Sequence, residues 1–369
     1  MEIDKILQAG LRQGVSDIML KEGSPPMLRH CGELKRLEDA EPLATQEVQA
    51  ALARFLSSDD RRVRFISERH ADLAFDEPNV GRFRIHAYRQ RGKLGMVLRV
   101  IPAVIRCCDE LQLPSVVERI ADHRRGLILV TGPTGSGKTT TLAAIVDYIN
   151  RTSSRHIITI EDPIEYLHDD QQSVVSQREI GSDADDFASA LRFAMRQIPD
   201  VIMVGEMRDL ETIETAIVAA ETGHLVLSTL HTIDAPETIN RIVASFPEHK
   251  RDQIRTILAN VIKGVISQRL VPSIDGQSMA LAVEVMLGSA RVREYIDSNR
   301  IRELHDAIAQ ASGQGMQTFD QALAALYHAK RISFDEARLH CSNTADFDLL
   351  AQGIGSGHFE SRSAVAEVA

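Results

Sequence analysis

The chain has 369 residues, 44% of them hydrophobic, which is enough for two domains with real cores on a prior of about 150 residues each. Its 52 Asp and Glu against 42 Lys and Arg give a net charge of -10. That is the wrong sign for a protein held to nucleic-acid phosphates, and a 4% aromatic content leaves few side chains for stacking on bases.

The start, Met1-Glu-Ile-Asp-Lys, lacks a basic region followed by an apolar run, and apolar stretches such as residues 127–130 are far shorter than a membrane span. The chain is therefore expected in the cytosol. Cysteines stand at Cys31, Cys107, Cys108 and Cys341 with no C-x-x-C pair, so buried or incidental thiols are expected rather than a zinc ribbon or a disulfide framework.

Residues 1–100 read as a small α+β domain. An opening helix, a turn over residues 23–26 and a helix near residues 45–56 precede runs in which Phe83, Ile85, Ala87 and then Met96, Leu98, Val100 recur every second residue. The runs bracket residues 89–92, the pattern of a hairpin. Arg82 and Arg84, two apart, point to one face of the strand, either as solvated charges or as a binding pair. Pro102 and Pro114 break the periodicity and mark a linker over residues 101–114.

From 115 to 271 short β-branched runs alternate with longer helical segments, which predicts an α/β domain with a parallel sheet covered by helices. Residues 272–350 read as a mostly helical subdomain, with Phe319, Leu323 and Leu326 spaced along one helix and another near residues 334–340. Residues 351–369 are small and polar enough for a loose tail.

The most specific signal follows the run Leu-Ile-Leu-Val at 127–130. Gly132, Pro133, Thr134, Gly135, Ser136, Gly137, Lys138 and Thr139 fit G-x-x-x-x-G-K-[ST] at every fixed position, after a predicted buried strand and before a helix carrying Leu142, Ile145, Val146 and Ile149 on one stripe. Glycines let successive N–H groups turn onto phosphate oxygens, and the helix N-terminus adds partial positive charge. Lys138 supplies a point charge for the β- and γ-phosphates of ATP, and Thr139 offers a hydroxyl to Mg²⁺, with Thr140 next on the same turn.

Ligands of doubly wound sheets sit beyond the carboxyl ends of the strands. There the sequence places Glu161, Asp162 and Glu165 after one predicted strand, Glu206 after a second, and His231 after a third, whereas Asp200 and His224 fall at amino ends. Position favours Glu206 over Asp200 as the group that orients or deprotonates attacking water. His231 is expected to sense the γ-phosphate, and Glu161 and Glu165 to serve Mg²⁺ or the nucleotide, with Glu161 also counted as catalytic. His224 is kept as a nucleotide-site candidate acting from another surface, a subunit interface included. Between these strands Ser182, Asp183 and Asp185 suit a helix start, with Phe187, Leu191, Ala194, Met195 and Ile198 as its buried stripe and Arg192 and Arg196 on an exposed face.

These boxes, Gly132 to Thr139, Thr-Ile-Glu-Asp-Pro-Ile-Glu at 159–165, Asp-Val-Ile-Met-Val-Gly-Glu at 200–206 and Thr-Gly-His-Leu…Thr-Leu-His at 222–231, resemble the Walker A, Asp box, Walker B and His box of secretion and pilus ATPases. The resemblance is closest to the type IV pilus retraction ATPase family, PilT/PilU, and covers nearly the whole chain, including Gly-Arg-Phe-Arg at 81–84 and Gly-Met-Gln-Thr-Phe-Asp at 315–320. It implies a PAS-like N-terminal α+β domain joined to a RecA-like ATPase domain, a hexamer whose neighbouring subunits share ATP, and work at the cytoplasmic face of the inner membrane beneath the pilus platform protein. By the same likeness Glu206 is the catalytic base, and arginines among Arg82, Arg84 and Arg99 reach nucleotide.

Two departures from the main retraction motors stand out, the second carried by a pair of segments. Residues 290–296 read Ala-Arg-Val-Arg-Glu-Tyr-Ile in place of an Ala-Ile-Arg-Asn-Leu-Ile-Arg-type segment, and residues 196–200 and 315–323 look more like the PilU branch, which implies an accessory partner motor to a paralogous ATPase. The alternatives are an assembly or secretion ATPase, whose usual four-cysteine zinc insertion is missing here, and a regulatory hexamer that binds ATP without turnover.

Overall fold

The computed structural model describes residues 3–354 apart from 31, 32, 39, 57, 58, 78, 79, 102, 103 and 277. Cys31, part of the expected linker and residues 355–369 of the expected tail lie outside the described residues. The chain forms two compact units that part after Ile105, with Pro163–Leu167 grouping with the first.

The first unit contains α1 (Ile3–Arg12), β1 (Asp17–Lys21), β2 (Met27–His30), β3 (Glu33–Arg36), α2 (Thr45–Phe55), α3 (Asp59–Glu68), β4 (His70–Glu77), β5 (Gly81–Gln90) and β6 (Lys93–Ile101). Its six strands form one antiparallel sheet in the order β3-β2-β1-β6-β5-β4. The alternation along β5 sends Phe83, Ile85 and Ala87 into the core with no exposure, where Ile6 and Leu7 of α1 and Val48 and Phe55 of α2 meet them. The expected hairpin is present but tighter: Gln90 pairs with Lys93, leaving Arg91 and Gly92 as the turn, at φ 49° and 76°. Two consecutive positive φ values are those of a type I′ turn, whose twist matches that of the strands.

The second unit contains α4 (Val116–Ala121), β7 (Gly126–Thr131), α5 (Lys138–Thr152), β8 (His156–Glu161), β9 (Val174–Glu179), α6 (Phe187–Ala194), β10 (Val201–Val204), α7 (Leu210–Glu221), β11 (Leu225–Leu230), α8 (Ala235–Ala244), α9 (Arg251–Val261), β12 (Ile262–Pro272), β13 (Met279–Leu287), α10 (Ala290–Asp297), α11 (Leu304–Ala309), α12 (Phe319–His328), α13 (Phe334–His340) and α14 (Thr344–Ala351). Seven strands run in the order β13-β12-β7-β11-β10-β8-β9, parallel except for the β12–β13 pair. Every residue of β7, β10 and β11 is buried, as continuous apolar runs in a sheet covered on both faces require. Leu127 and Leu129 pack with α6 to α9 on one side, Ile128 and Val130 with α4 and α5 on the other.

Three expectations are corrected. The stretch read as mostly helical from 272 opens with β13, which pairs with β12 over nine residue pairs from Gly264↔Leu287 to Pro272↔Met279. Helix α6 starts from Asp186, whose carboxylate accepts the Ser189 N–H at 2.8 Å, so the cap lies beyond Ser182, Asp183 and Asp185. It ends at Ala194, and Ile198, expected in its buried stripe, is 88% exposed at φ 55°. The last helices behave as expected locally: Phe319, Leu323, Ala324, Ala337 and Phe347 close over Val271, Ala280 and Ala282 at the strand ends. Leu129 has no exposure, and truncation to alanine removes contacts on a wall that cannot collapse. Leu129→Ala is expected to lower stability by about 3 kcal/mol in a urea titration followed by circular dichroism; a loss below about 1 kcal/mol contradicts that packing.

Candidate nucleotide-binding site

Strand β7 delivers Gly132 to the carboxyl edge of the second sheet, and α5 leaves that edge at Lys138. At Gly132, φ 140°, an added Cβ would lie 2.5 Å from the Gln268 carbonyl oxygen and 2.6 Å from Ser136 Oγ, so no side chain fits. Gly135 and Gly137 take φ 82° and 90° and have nothing within 4 Å of such a Cβ, so there the glycine serves the backbone and leaves the space above it open. Gly137 caps α5, whose first-turn N–H groups point out of the helix end. Ser136 Oγ is buried with no hydrogen-bond partner among the described residues.

Lys138 is 8% exposed and donates to the carbonyls of Gly132 and Pro133 at 2.8 and 2.9 Å. Burial lowers its pKa, and the charge of Glu206 works the other way. Its ammonium also stands 3.5 Å from His231 Nδ1, just past β11. Because an ammonium only donates, Nδ1 accepts and Nε2 carries the hydrogen that His231 presents to Glu206 Oε1 at 2.9 Å. The other Glu206 oxygen accepts from Arg208 Nε at 2.8 Å. Lys138, His231 and Glu206 thus form one polar chain across the ends of β7, β11 and β10, three neighbours in the sheet. Beneath it Thr229 Oγ1 donates to the Gly205 carbonyl and Ser228 Oγ to that of Val204, each at 2.7 Å, fastening β11 to β10 at this edge.

Other expected residues are placed elsewhere. Glu161 ends β8, three strands from β7, which is about 14 Å at the usual strand spacing, and accepts from Thr159 Oγ1 at 2.6 Å and Gln177 Nε2 at 3.1 Å. Glu165 groups with the first unit and lies 3.3 Å from Arg84. Arg82 donates to the Ile164 carbonyl at 3.2 and 3.0 Å and pairs with Asp76 across β4, while Arg99 binds Asp17 at 3.0 Å. His224 sits at the amino end of β11 with Nδ1 3.0 Å from the Ala219 carbonyl, on the opposite edge from the glycine turn. Asp200, also at the amino edge, holds β10 to β8 by accepting the His156 N–H at 2.9 Å. Arg192 pairs with Glu211, and Arg196 lies over the Phe193 ring. Sequence reasoning passed over Arg208, whose signal was its Glu-Met-Arg spacing from Glu206 just past a strand.

A sheet flanked by helices on both faces, a glycine turn wrapped round a buried lysine, an unpartnered hydroxyl in that turn and a carboxylate two strands away fit a nucleotide's phosphate chain, and they define the P-loop ATPase class. A family model described as "Type II/IV secretion system protein" matches residues 108–327, and the chain belongs to that family. It is 43% identical to the "Type IV pilus retractation ATPase PilT" of Pseudomonas aeruginosa, over 92% of this chain and 97% of that one. It is 38% identical to the "Type IV pilus ATPase PilU" of the same organism, over 95% and 91%. The solved pilus retraction motor PilT with bound ADP superposes with a TM-score of 0.87 at 42% identity, over 94% of this chain and 98% of that one. Identity to the PilT relative exceeds that to the PilU relative, so overall similarity does not carry the lean towards PilU drawn from residues 196–200 and 315–323. Gly132→Ala is expected to weaken binding of a fluorescent ATP analogue at least about tenfold by closing the turn, with direct titration as the measurement.

Proposed function

We propose that this chain is a Mg²⁺-dependent ATPase that powers type IV pilus retraction and twitching motility as a subunit of a homohexameric ring. The observation that carries the hydrolytic part is the chain Lys138–His231–Glu206, which ties the phosphate-binding turn to an acid at the same edge. The biological part is supported by relatives named for pilus retraction and twitching motility that match over most of the chain.

In this reading Gly132 to Gly137 present backbone N–H groups to the phosphates, and Lys138 turns its ammonium to the β- and γ-phosphates. Thr139 would hold Mg²⁺ through its hydroxyl, and Glu161, three strands from the turn, would act on the ion only through intervening water; when bound, the ion would neutralise charge that builds on the phosphate oxygens. Glu206 accepts the proton of the attacking water, His231 holds the Glu206 carboxylate and senses the γ-phosphate through the Lys138 ammonium it accepts from, and Arg208 fixes the second carboxylate oxygen. Thr140 completes the phosphate turn. Glu165 serves the nucleotide, and Arg82, Arg84, Arg99 and His224 act at it from across a subunit boundary. Residues 1–100 are the PAS-like part, 115–271 together with β13 the RecA-like part, and the helices that follow β13 to residue 350 the helical part. No helix among the described residues is long and apolar enough to cross a membrane, and we place the ring at the cytoplasmic face of the inner membrane, on the pilus platform protein and beside any paralogous retraction ATPase.

Glu206→Gln keeps the side-chain volume and removes the charge. It is expected to retain ATP while losing at least about 100-fold in kcat, and to fail to restore twitching in a strain lacking this chain and its paralogues, where the wild type succeeds. Wild-type turnover in that variant rejects the base assignment, and absent twitching with the wild type rejects retraction by this chain without a paralogue. Arg84→Ala subunits mixed with Glu206→Gln subunits are expected to turn over at least about fivefold more slowly than wild type in the same mixture, and equal rates would leave Arg84 as a surface charge.

A further inference from the structure

Strand β13 reads Met-Ala-Leu-Ala-Val-Glu-Val-Met-Leu, and its single charged residue, Glu284, is 2% exposed. A buried carboxylate with no task can be replaced by an apolar side chain at little or no loss, so its contacts carry the question of why it is there. Glu284 Oε1 accepts the Ala235 N–H at 2.8 Å, and Ser267, its partner residue across the β12–β13 ladder, stands beside it on the same face of the sheet. Ser267 Oγ in turn accepts from Thr131 Oγ1 at 3.0 Å, in a pair that is wholly buried.

Both arms end at the nucleotide site. Thr131 is the last residue of β7, directly before Gly132; Ala235 opens α8, four residues after His231. The short segment between His231 and α8 is itself held by Thr232 and Thr238, 2.6 Å apart, and by Asp234 capping the helix through Glu237 N–H. One carboxylate therefore touches the supports of two walls of the site.

We propose that Glu284 is a positioning residue of the ATP-hydrolysing site, holding the first residue of the phosphate turn through Ser267 and Thr131 and the His231 turn through Ala235 N–H in a single arrangement. The inference rests on the hydrolytic reading given above. The charged groups facing Glu284 are Asp234 at the start of α8 and Arg269 on β12; Arg269 also lies over the Phe319 ring, donates to the His340 carbonyl and feels Asp320 of α12. Burial, helped by Asp234, pushes Glu284 up to about 7 against the Ala235 N–H, Arg269 and Ser267. Ionised, the carboxylate accepts the Ala235 N–H and offers its remaining lone pairs to the neighbouring Ser267 hydroxyl. Protonated, it has one donor of its own to place, and the Ser267–Thr131 arm must reorient to receive it.

Glu284→Gln mimics the protonated form at every pH, so the test is steady-state ATPase activity of wild type and variant from pH 6 to 8.5, beside melting curves without nucleotide. The variant is expected to keep KM for ATP within about threefold, to lose about tenfold in kcat at pH 8, and to approach wild type within about twofold at pH 6. A carboxyl raised above its unfolded value costs stability as pH rises from the unfolded pKa through about 7, a cost complete above that and absent from glutamine. The variant should accordingly melt about 5 °C higher than wild type at pH 8, with the difference shrinking below pH 6. Equal kcat at pH 8, or a loss of the same size at every pH, overturns the proposal. Should Glu284→Gln fail to fold, Ser267→Ala cuts only the arm to the phosphate turn: a kcat loss of about fivefold with KM kept supports the positioning role, and unchanged kcat overturns it. Glu206→Gln in the same assay separates this failure from that of the parent reading, since a wild type no faster than Glu206→Gln rejects hydrolysis itself.

Discussion

Parallel pairing of β7, β11 and β10 is the constraint from which the site follows. The registers Thr131↔Leu230 and Val204↔Ser228 end the three strands along one edge, so the turn after each must emerge on the same side of the sheet. With neighbouring strands about 4.8 Å apart, groups just past adjacent ends fall within reach of one another without further design. Lys138, His231 and Glu206 are the groups at those ends, and their hydrogen bonds join segments far apart in the chain. The hydroxyls of Ser228 and Thr229, bonded to carbonyls of β10, pin the same edge from below. Apolar faces packed on both sides keep the sheet from sliding, because a shift of one residue would turn buried leucines and isoleucines to the wrong layer.

Much of this was legible in the sequence because the strands of a doubly covered sheet are nearly continuous apolar runs, and the glycine turn after one of them has a fixed pattern. Glu206 and His231 could be placed from strand direction alone, and Asp200 separated from Glu206 by lying at the other end of the same strand. Strand β13 was harder to read. Its run Met-Ala-Leu-Ala-Val-Glu-Val-Met-Leu follows a proline and a turn, and an isolated acid in it looks like a break in a buried pattern rather than part of one. Helix α3 escaped notice for another reason: among its apolar residues Phe65 is buried while Val63 and Ile66 are 65% and 75% exposed, so it shows no apolar stripe.

Side-chain partners were the least legible layer. That Arg82 and Arg84 share a face follows from the period of the strand, but their ties to Ile164 and Glu165 join residues about eighty apart in the chain, which no local pattern encodes. Arg208 and Glu284 were passed over because one looks like an ordinary loop cation and the other like a flaw in an apolar strand. Both acquire meaning only once the fold shows what they touch. Burial without partners would make Glu284 a liability, and its two arms make it a part of the site's frame.

The carbonyls of Gly132 and Pro133 that hold the Lys138 ammonium have a consequence for selectivity. To engage a phosphate, that ammonium gives up contacts it already has, so the attraction is an exchange of acceptors whose net worth is far below that of a charge-assisted bond formed from nothing. A single phosphate offers little in such a trade. Two consecutive phosphates present one acceptor for each carbonyl the ammonium leaves, so a longer polyanion is the better exchange.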